Sequence, residues 1–170
     1  MVIKKGTQIT LTEFEQRLAK ALAKERNQRS LAATKNQRVD GNRTDLELNI
    51  EGVGAEIAYC RMFNCYPDFS TTPRRGGYDC IVNGQTVDVK ANAHIGNPYL
   101  LASQGKTFQD ANIYALMIGS WPTYFFGGWL RACDLLKSEN ITNFGYANSN
   151  PYAVHESKLN PEMEENKIRW

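Results

Sequence analysis

The stretch Tyr78-Asp79-Cys80-Ile81-Val82-Asn83-Gly84-Gln85-Thr86-Val87-Asp88-Val89-Lys90 decides how this chain is read. Asn-Gly between two runs rich in β-branched residues is the strongest short-range signal for a hairpin, closed by a two-residue type I′ turn. Such a turn fixes the register. Val82 faces Gln85, Ile81 faces Thr86, Cys80 faces Val87 and Asp79 faces Asp88. Successive side chains alternate across a strand, so Asp79, Asp88 and Lys90 share one face while Val87 and Val89 take the other. Directly opposed carboxylates lie about 5 Å apart and repel by roughly 3 kcal/mol at an effective dielectric near 20. Protonation of one carboxyl, neutralisation by Lys90, or a divalent cation between the two relieves that repulsion. The third is the chemically useful solution, because Mg²⁺ takes oxygen ligands and acidifies bound water. A solvent-exposed hairpin face bearing the same residues is the alternative.

Upstream of the hairpin, Thr44-Asp45-Leu46-Glu47 is a capping box opening a helix that runs to about Phe63 and stops near Asn64 and Pro67. At 100° per residue, Leu46, Ile50, Val53, Ile57 and Cys60 fall within about 40° of one line, giving a buried stripe. Glu56 lies about 80° from that stripe and can lean into a site against the core. Glu51 lies about 140° away and should face water. Gly52 and Gly54 each cost a helix about 1 kcal/mol, so they either admit a close neighbour or are simply tolerated.

Further upstream, Thr10-Leu11-Thr12-Glu13 fits another capping box, and Leu11, Phe14, Leu18 and Leu22 recur at helical spacing. This helix is expected to reach about Ala33. Residues 17 to 43 hold eight basic residues against Glu25 and Asp40, a local sum of +6. Among them Lys24, Arg26, Arg29, Lys35 and Arg38 are candidates for holding a phosphate backbone; an ordinary solvated helix face is the alternative. Asp40-Gly41-Asn42 reads as a turn. Arg74 and Arg75, in the loop before Asp79, are placed to touch a nucleic-acid strand or form an ordinary basic turn.

Downstream, 112–119 reads as a buried strand, Trp121-Pro122 as a turn, and 123–129 as another strand. A short helix over 130–137, a last strand over 152–155 and a polar tail over 158–170 follow. The pattern is α/β: a central mixed sheet, with the hairpin in it, flanked by helices. At 170 residues the chain is expected to be one domain, with a basic N-terminal helix or arm (1–43), a core (44–155) and a polar tail (156–170).

With 42% apolar and 22% charged residues, the composition excludes disorder and coiled coil. No run approaches 18 apolar residues, and the start lacks the apolar segment of a signal peptide. A cytoplasmic protein with no membrane partner is therefore expected. The formal charge of +2 is a sum over unlike regions, since residues 91 to 154 balance while 17 to 43 are strongly basic. Cys60, Cys65, Cys80 and Cys133 contain no C-x2-C pair, and read as small core residues in a reducing compartment. His94 and His155 have no spacing that supports a metal site.

The helix Ile50-Glu51-Gly52-Val53-Gly54-Ala55-Glu56-Ile57-Ala58, then Gly77-Tyr78-Asp79, then Val87-Asp88-Val89-Lys90 together resemble the PD-(D/E)XK nuclease superfamily in its small phage and bacterial form. The resemblance covers roughly residues 44 to 137, and four polar positions carry it. It implies a restriction-endonuclease-like core with Glu56, Asp79, Asp88 and Lys90 as the catalytic set. Asp79, Asp88 and Glu56 would be the ligands of Mg²⁺, for which Mn²⁺ would substitute. Tyr78 stands where a proline is common, and Asp88 where glutamate is commoner. The implied activity is metal-dependent hydrolysis of DNA phosphodiester bonds by an endonuclease, with structure-specific cutting in the manner of a junction resolvase as one form of it. A phage protein would act in the host cytoplasm. A homodimer would cut two strands, with the first helix as interface or packed on its own domain. A non-catalytic DNA-binding module on the same fold and a viral protein-interaction factor are the competing readings.

Overall fold

The computed structural model describes residues 1–34, 43–72, 77–145 and 150–167. Lys35, Arg38, Arg74, Arg75 and the turn at 40–42 lie outside the described residues.

The hairpin forms as its turn chemistry dictates. β3 (Cys80–Val82) and β4 (Gln85–Asn92) pair antiparallel, with Cys80 opposite Val87, Ile81 opposite Thr86 and Val82 opposite Gln85. Asn83 and Gly84 both have positive φ, 49° and 79°, as a type I′ turn requires. Asp79 sits one residue outside the strand, where β3 begins to part from β4.

Around this hairpin the chain builds a mixed α/β structure, a curled mixed five-stranded sheet flanked by helices. Strands β1 (Val2–Lys4) and β2 (Gln8–Thr10) come first, then α1 (Glu13–Thr34) and α2 (Asp45–Met62). After the hairpin come β5 (Tyr99–Ala102), β6 (Ile113–Ser120), β7 (Thr123–Arg131) and α3 (Ala132–Leu135). β8 (Tyr152–His155) and β9 (Glu162–Glu164) close the chain. The central sheet has the order β2-β7-β6-β4-β3. Only β4 and β6 are parallel in it, Asp88 beside Tyr114 and Lys90 beside Leu116.

The sheet is buried on both faces, which is why β6 is apolar throughout rather than alternating. On one face Val87, Val89, Ile113, Ala115 and Met117 pack with Val53, Ile57 and Cys60 of α2 and Leu22 of α1. On the other, Tyr114 and Leu116 pack with Leu100, Leu135 and Val154. Among the described residues no helix is long and apolar enough to cross a membrane.

Several local expectations shift. Thr12, not Thr10, caps α1. Its hydroxyl accepts the Glu15 N–H, while the Glu15 carboxylate accepts the Thr12 N–H, so the box lies two residues further along. The helix expected over 130–137 shrinks to α3, because Leu130 and Arg131 extend β7 against β6. The polar tail contains β9, which pairs with β1. Neither β1 nor β9 carries a sequence signal; each is three residues long and is made by its partner.

Candidate functional site

α2 begins as read, with Thr44 and Glu47 forming a reciprocal capping box. Two of its carboxylates then depart from helical-wheel geometry. Glu51, expected in water, is half-buried and accepts the Trp121 N–H at 3.2 Å and the Tyr124 hydroxyl at 3.4 Å. The reason is Gly54, one turn on. A Cβ there would run into the Tyr124 hydroxyl and the Trp121 ring, so the missing side chain lets both aromatics lie on the helix. Gly52 has nothing within 4 Å and is merely tolerated.

Glu56 does lean inward. Its carboxylate meets the Arg26 guanidinium at 2.7 Å, and both side chains are mostly buried. Arg26 also donates to the carbonyls of Asp68 (2.6 Å) and Ser70 (3.1 Å). It thereby ties α1, α2 and the loop before the hairpin together, each of its three nitrogens donating once within the chain. The structure thus adds an internal tie to the phosphate contact expected of Arg26. Lys24 and Arg29 remain on the exposed face of α1, Arg29 at 4.0 Å from Glu25. Burial raises the Glu56 carboxyl above the ordinary carboxylate range, Asp88 adding to that shift; Arg26 and, more weakly, Lys90 oppose it.

At the fork, the Asp79 N–H donates to the Val87 carbonyl at 2.8 Å, and the Val89 N–H donates to Asp79 Oδ2 at 2.7 Å. The carboxylate thus takes the backbone donor of β4 that the departing strand no longer satisfies. Burial pushes Asp79 well above its ordinary range, with the negative charges of Glu56 and Asp88 adding and the Val89 N–H and Lys90 opposing.

Asp88 is the best-neutralised acid of the set. Its side chain is 4% exposed and lies between Lys90 Nζ (2.6 Å to Oδ1) and Lys106 Nζ (2.7 Å to Oδ2). The Lys106 contact is an ion pair outside hydrogen-bond alignment. Nothing in the sequence marked Lys106, a single lysine in the loop after β5. Beside Asp88 on β6, the Tyr114 side chain is fully buried and its hydroxyl has no hydrogen-bond partner among the described residues. Burial raises that phenol, with Asp88 and Asp110 adding.

Val87 and Val89 pack beneath α2, so strand alternation turns Asp88 and Lys90 the other way. Asp88 and Lys90 are close enough to bear on the protonation of Glu56 and Asp79, and Glu56 on that of Asp79. They form two linked halves, Glu56–Arg26 on the helix side and Asp88–Lys90–Lys106 across the strand, with Asp79 at the fork between. A cleft of ≈ 480 Å³ opens beside them, lined by Arg26, Arg43, Asn49, Glu56, Lys90 and His94.

Among the described residues, one trio of His, Cys, Asp or Glu side chains has ligand atoms all within 4.8 Å of one another: Cys60, Cys65 and Cys80. Glu56, Asp79 and Asp88 do not reach that spacing. Each cysteine is a core residue by its sequence context, and their convergence has no sequence signal because Cys80 is distant along the chain. Hydrogen bonds from the Cys60 thiol and then the Cys80 thiol hold Cys65 down at about 5, against its burial.

Compared with known proteins, residues 1–124 match a family of unknown function, DUF5843. No curated protein and no solved structure matches the chain. The chain belongs to the DUF5843 family.

Proposed function

With the family itself of unknown function, we propose that this member is a metal-dependent DNA endonuclease built on a restriction-endonuclease-like core. One observation carries the reading: Asp79, at the point where two strands part, sits half-buried within electrostatic reach of Glu56 and Asp88, with Lys90 paired to Asp88. Burial first, and the nearby charges of Glu56 and Asp88 after it, disfavour an ionised Asp79. A divalent cation relieves that, and oxygen donors suit Mg²⁺ or Mn²⁺. Asp79, Asp88 and Glu56 are the residues that would hold it; bound there, it would acidify a water and polarise a phosphoryl oxygen.

The chain's own residues supply the rest. Lys90 lines the open cleft and can stabilise charge developing on a phosphate. Arg26 keeps Glu56 in place. Lys24 and Arg29 offer exposed positive charge to the phosphate backbone. Cutting both strands of a duplex calls for two such sites, which a homodimer would supply.

The test is direct. The purified chain is mixed with supercoiled, linear, branched and single-stranded DNA in Mg²⁺, Mn²⁺ or EDTA. Cleavage of at least one substrate that needs the metal is expected; no metal-dependent cleavage of any of them overturns the proposal. Asp88, already neutralised by two lysines, favours a second reading, a non-catalytic DNA-binding module. That reading expects salt-sensitive binding that survives Asp88→Ala, and no cleaved product.

A further inference from the structure

Three sulfurs from three separate segments converge next to the fork. Cys60 is in the last turn of α2, Cys65 lies in the loop just beyond it, and Cys80 is the first residue of β3. The helix end arranges the first two. Asn64 takes positive φ (51°) and the Cys65 N–H donates to the Cys60 carbonyl at 2.9 Å, which returns the chain over the helix terminus. Strand alternation then separates neighbours: Asp79 points to the β4 edge, while Cys80 points into the core beneath α2. All three sulfurs lie within 4.8 Å of one another. Cys60 and Cys80 are 1% and 3% exposed, and Cys65 is half-buried.

We propose that Cys60, Cys65 and Cys80 form a thiolate site for one soft, closed-shell metal ion, Zn²⁺ or Cu⁺. The spacing carries it. Metal–sulfur bonds of about 2.3 Å at tetrahedral angles put ligand sulfurs about 3.8 Å apart, so the trio needs a closing movement of about 1 Å at most. Cys65, on a loop, is the residue that can make it. A disulfide would use two sulfurs and strand the third, and a buried cysteine acting only as a small apolar side chain has no need of two others at the same point. Thiolates select Cu⁺ and Zn²⁺ over Mg²⁺ and Ca²⁺, so this site is chemically distinct from the carboxylates one peptide bond away. Binding replaces the thiol protons with the metal, which leaves them as H⁺ in solvent. Zn²⁺ would complete four-coordination with a water entering past Cys65; Cu⁺ needs no fourth ligand. This inference stands whether or not the chain cleaves DNA.

The experiment uses the full chain, fully reduced and anaerobic. Co²⁺ titration should give a thiolate-to-cobalt charge-transfer band that saturates at one equivalent and is displaced by Zn²⁺. A parallel arm titrates Cu⁺ against a colorimetric Cu⁺ chelator. Cys65→Ser, at the least buried of the three positions, should weaken binding of the favoured ion at least about tenfold, while Cys133→Ser, at an exposed cysteine outside the trio, should leave it unchanged. Saturable binding in either arm that Cys65→Ser weakens supports the site and identifies its ion. No binding in either arm of the folded wild-type chain overturns it, as does binding that Cys65→Ser leaves intact.

Discussion

Asp79 and Cys80 are adjacent in sequence and belong to opposite kinds of chemistry. Asp79 joins a region of hard oxygen donors held by ion pairs, in which every other acid has a cation beside it. Cys80 joins two further sulfurs, Cys60 and Cys65, at the C-terminal end of α2 and against the apolar core. The period of two along a strand separates them. A strand at the edge of a sheet can present a charged site to the fork and a soft-ligand site to the core within one residue. The two sites should therefore fail independently.

The largest effect tests that independence through Asp88. Asp88→Ala leaves Lys90 and Lys106 facing each other without their shared carboxylate. Breaking a buried pair costs about 3–5 kcal/mol; because both ammoniums keep some water, with side chains 30% and 17% exposed, about 3 kcal/mol is expected in urea unfolding. Cleavage should disappear and the cobalt–thiolate band should persist. Loss of both would show the regions to be one cooperative unit.

Next comes Lys90→Ala. Removing a group that stabilises transition-state charge lowers turnover by about 10²–10³. DNA binding should be largely spared, since the exposed cations of α1 are untouched. A matched fall in affinity, measured by salt-dependent binding, would make Lys90 a phosphate grip instead.

The pH dependence of stability is smaller and has a definite sign. In EDTA, Asp79 keeps its proton in the folded chain at pH values where the unfolded chain, with an ordinary carboxyl near 3.8, has lost it. The folded state then binds more protons, so stability falls as pH rises above that value, until the folded carboxyl also ionises. Glu56 adds a slope of the same sign above 4.5. Urea unfolding followed upward from pH 4.5 should show this decline. Asp79→Asn should flatten it, as should Mg²⁺, which binds the ionised form. A slope unchanged by Asp79→Asn would place the buried proton elsewhere.

The smallest effect is at Tyr114. Its hydroxyl is buried without a partner among the described residues, so Tyr114→Phe should be neutral or stabilise by about 1 kcal/mol in the absence of DNA. A loss of stability would reveal a hydrogen bond at that oxygen.

Legibility followed the range of the interactions. The hairpin register could be read because a two-residue turn with Asn and Gly at positive φ admits one pairing. The start of α2 could be read because Thr44 and Glu47 satisfy each other's backbone within one turn. The environment of Glu51 could not, because the wheel knows nothing of Tyr124 and Trp121, which arrive from the β6–β7 turn into the space left by Gly54. Arg26 read as a surface cation because its acid, Glu56, lies on another helix.

The sequence by itself therefore determined what neighbours along the chain decide: the turn, the cap of α2, the alternation that puts Asp88 with Lys90, and the basic face of α1. Tertiary structure alone decided which distant groups share a buried volume. It brought Lys106 to Asp88, Arg26 to Glu56, β9 to β1, and Cys80 to Cys60 and Cys65. The reason is physical. A buried charge or thiol takes its character from whatever desolvates and faces it, and those partners are chosen by packing rather than by spacing in the chain.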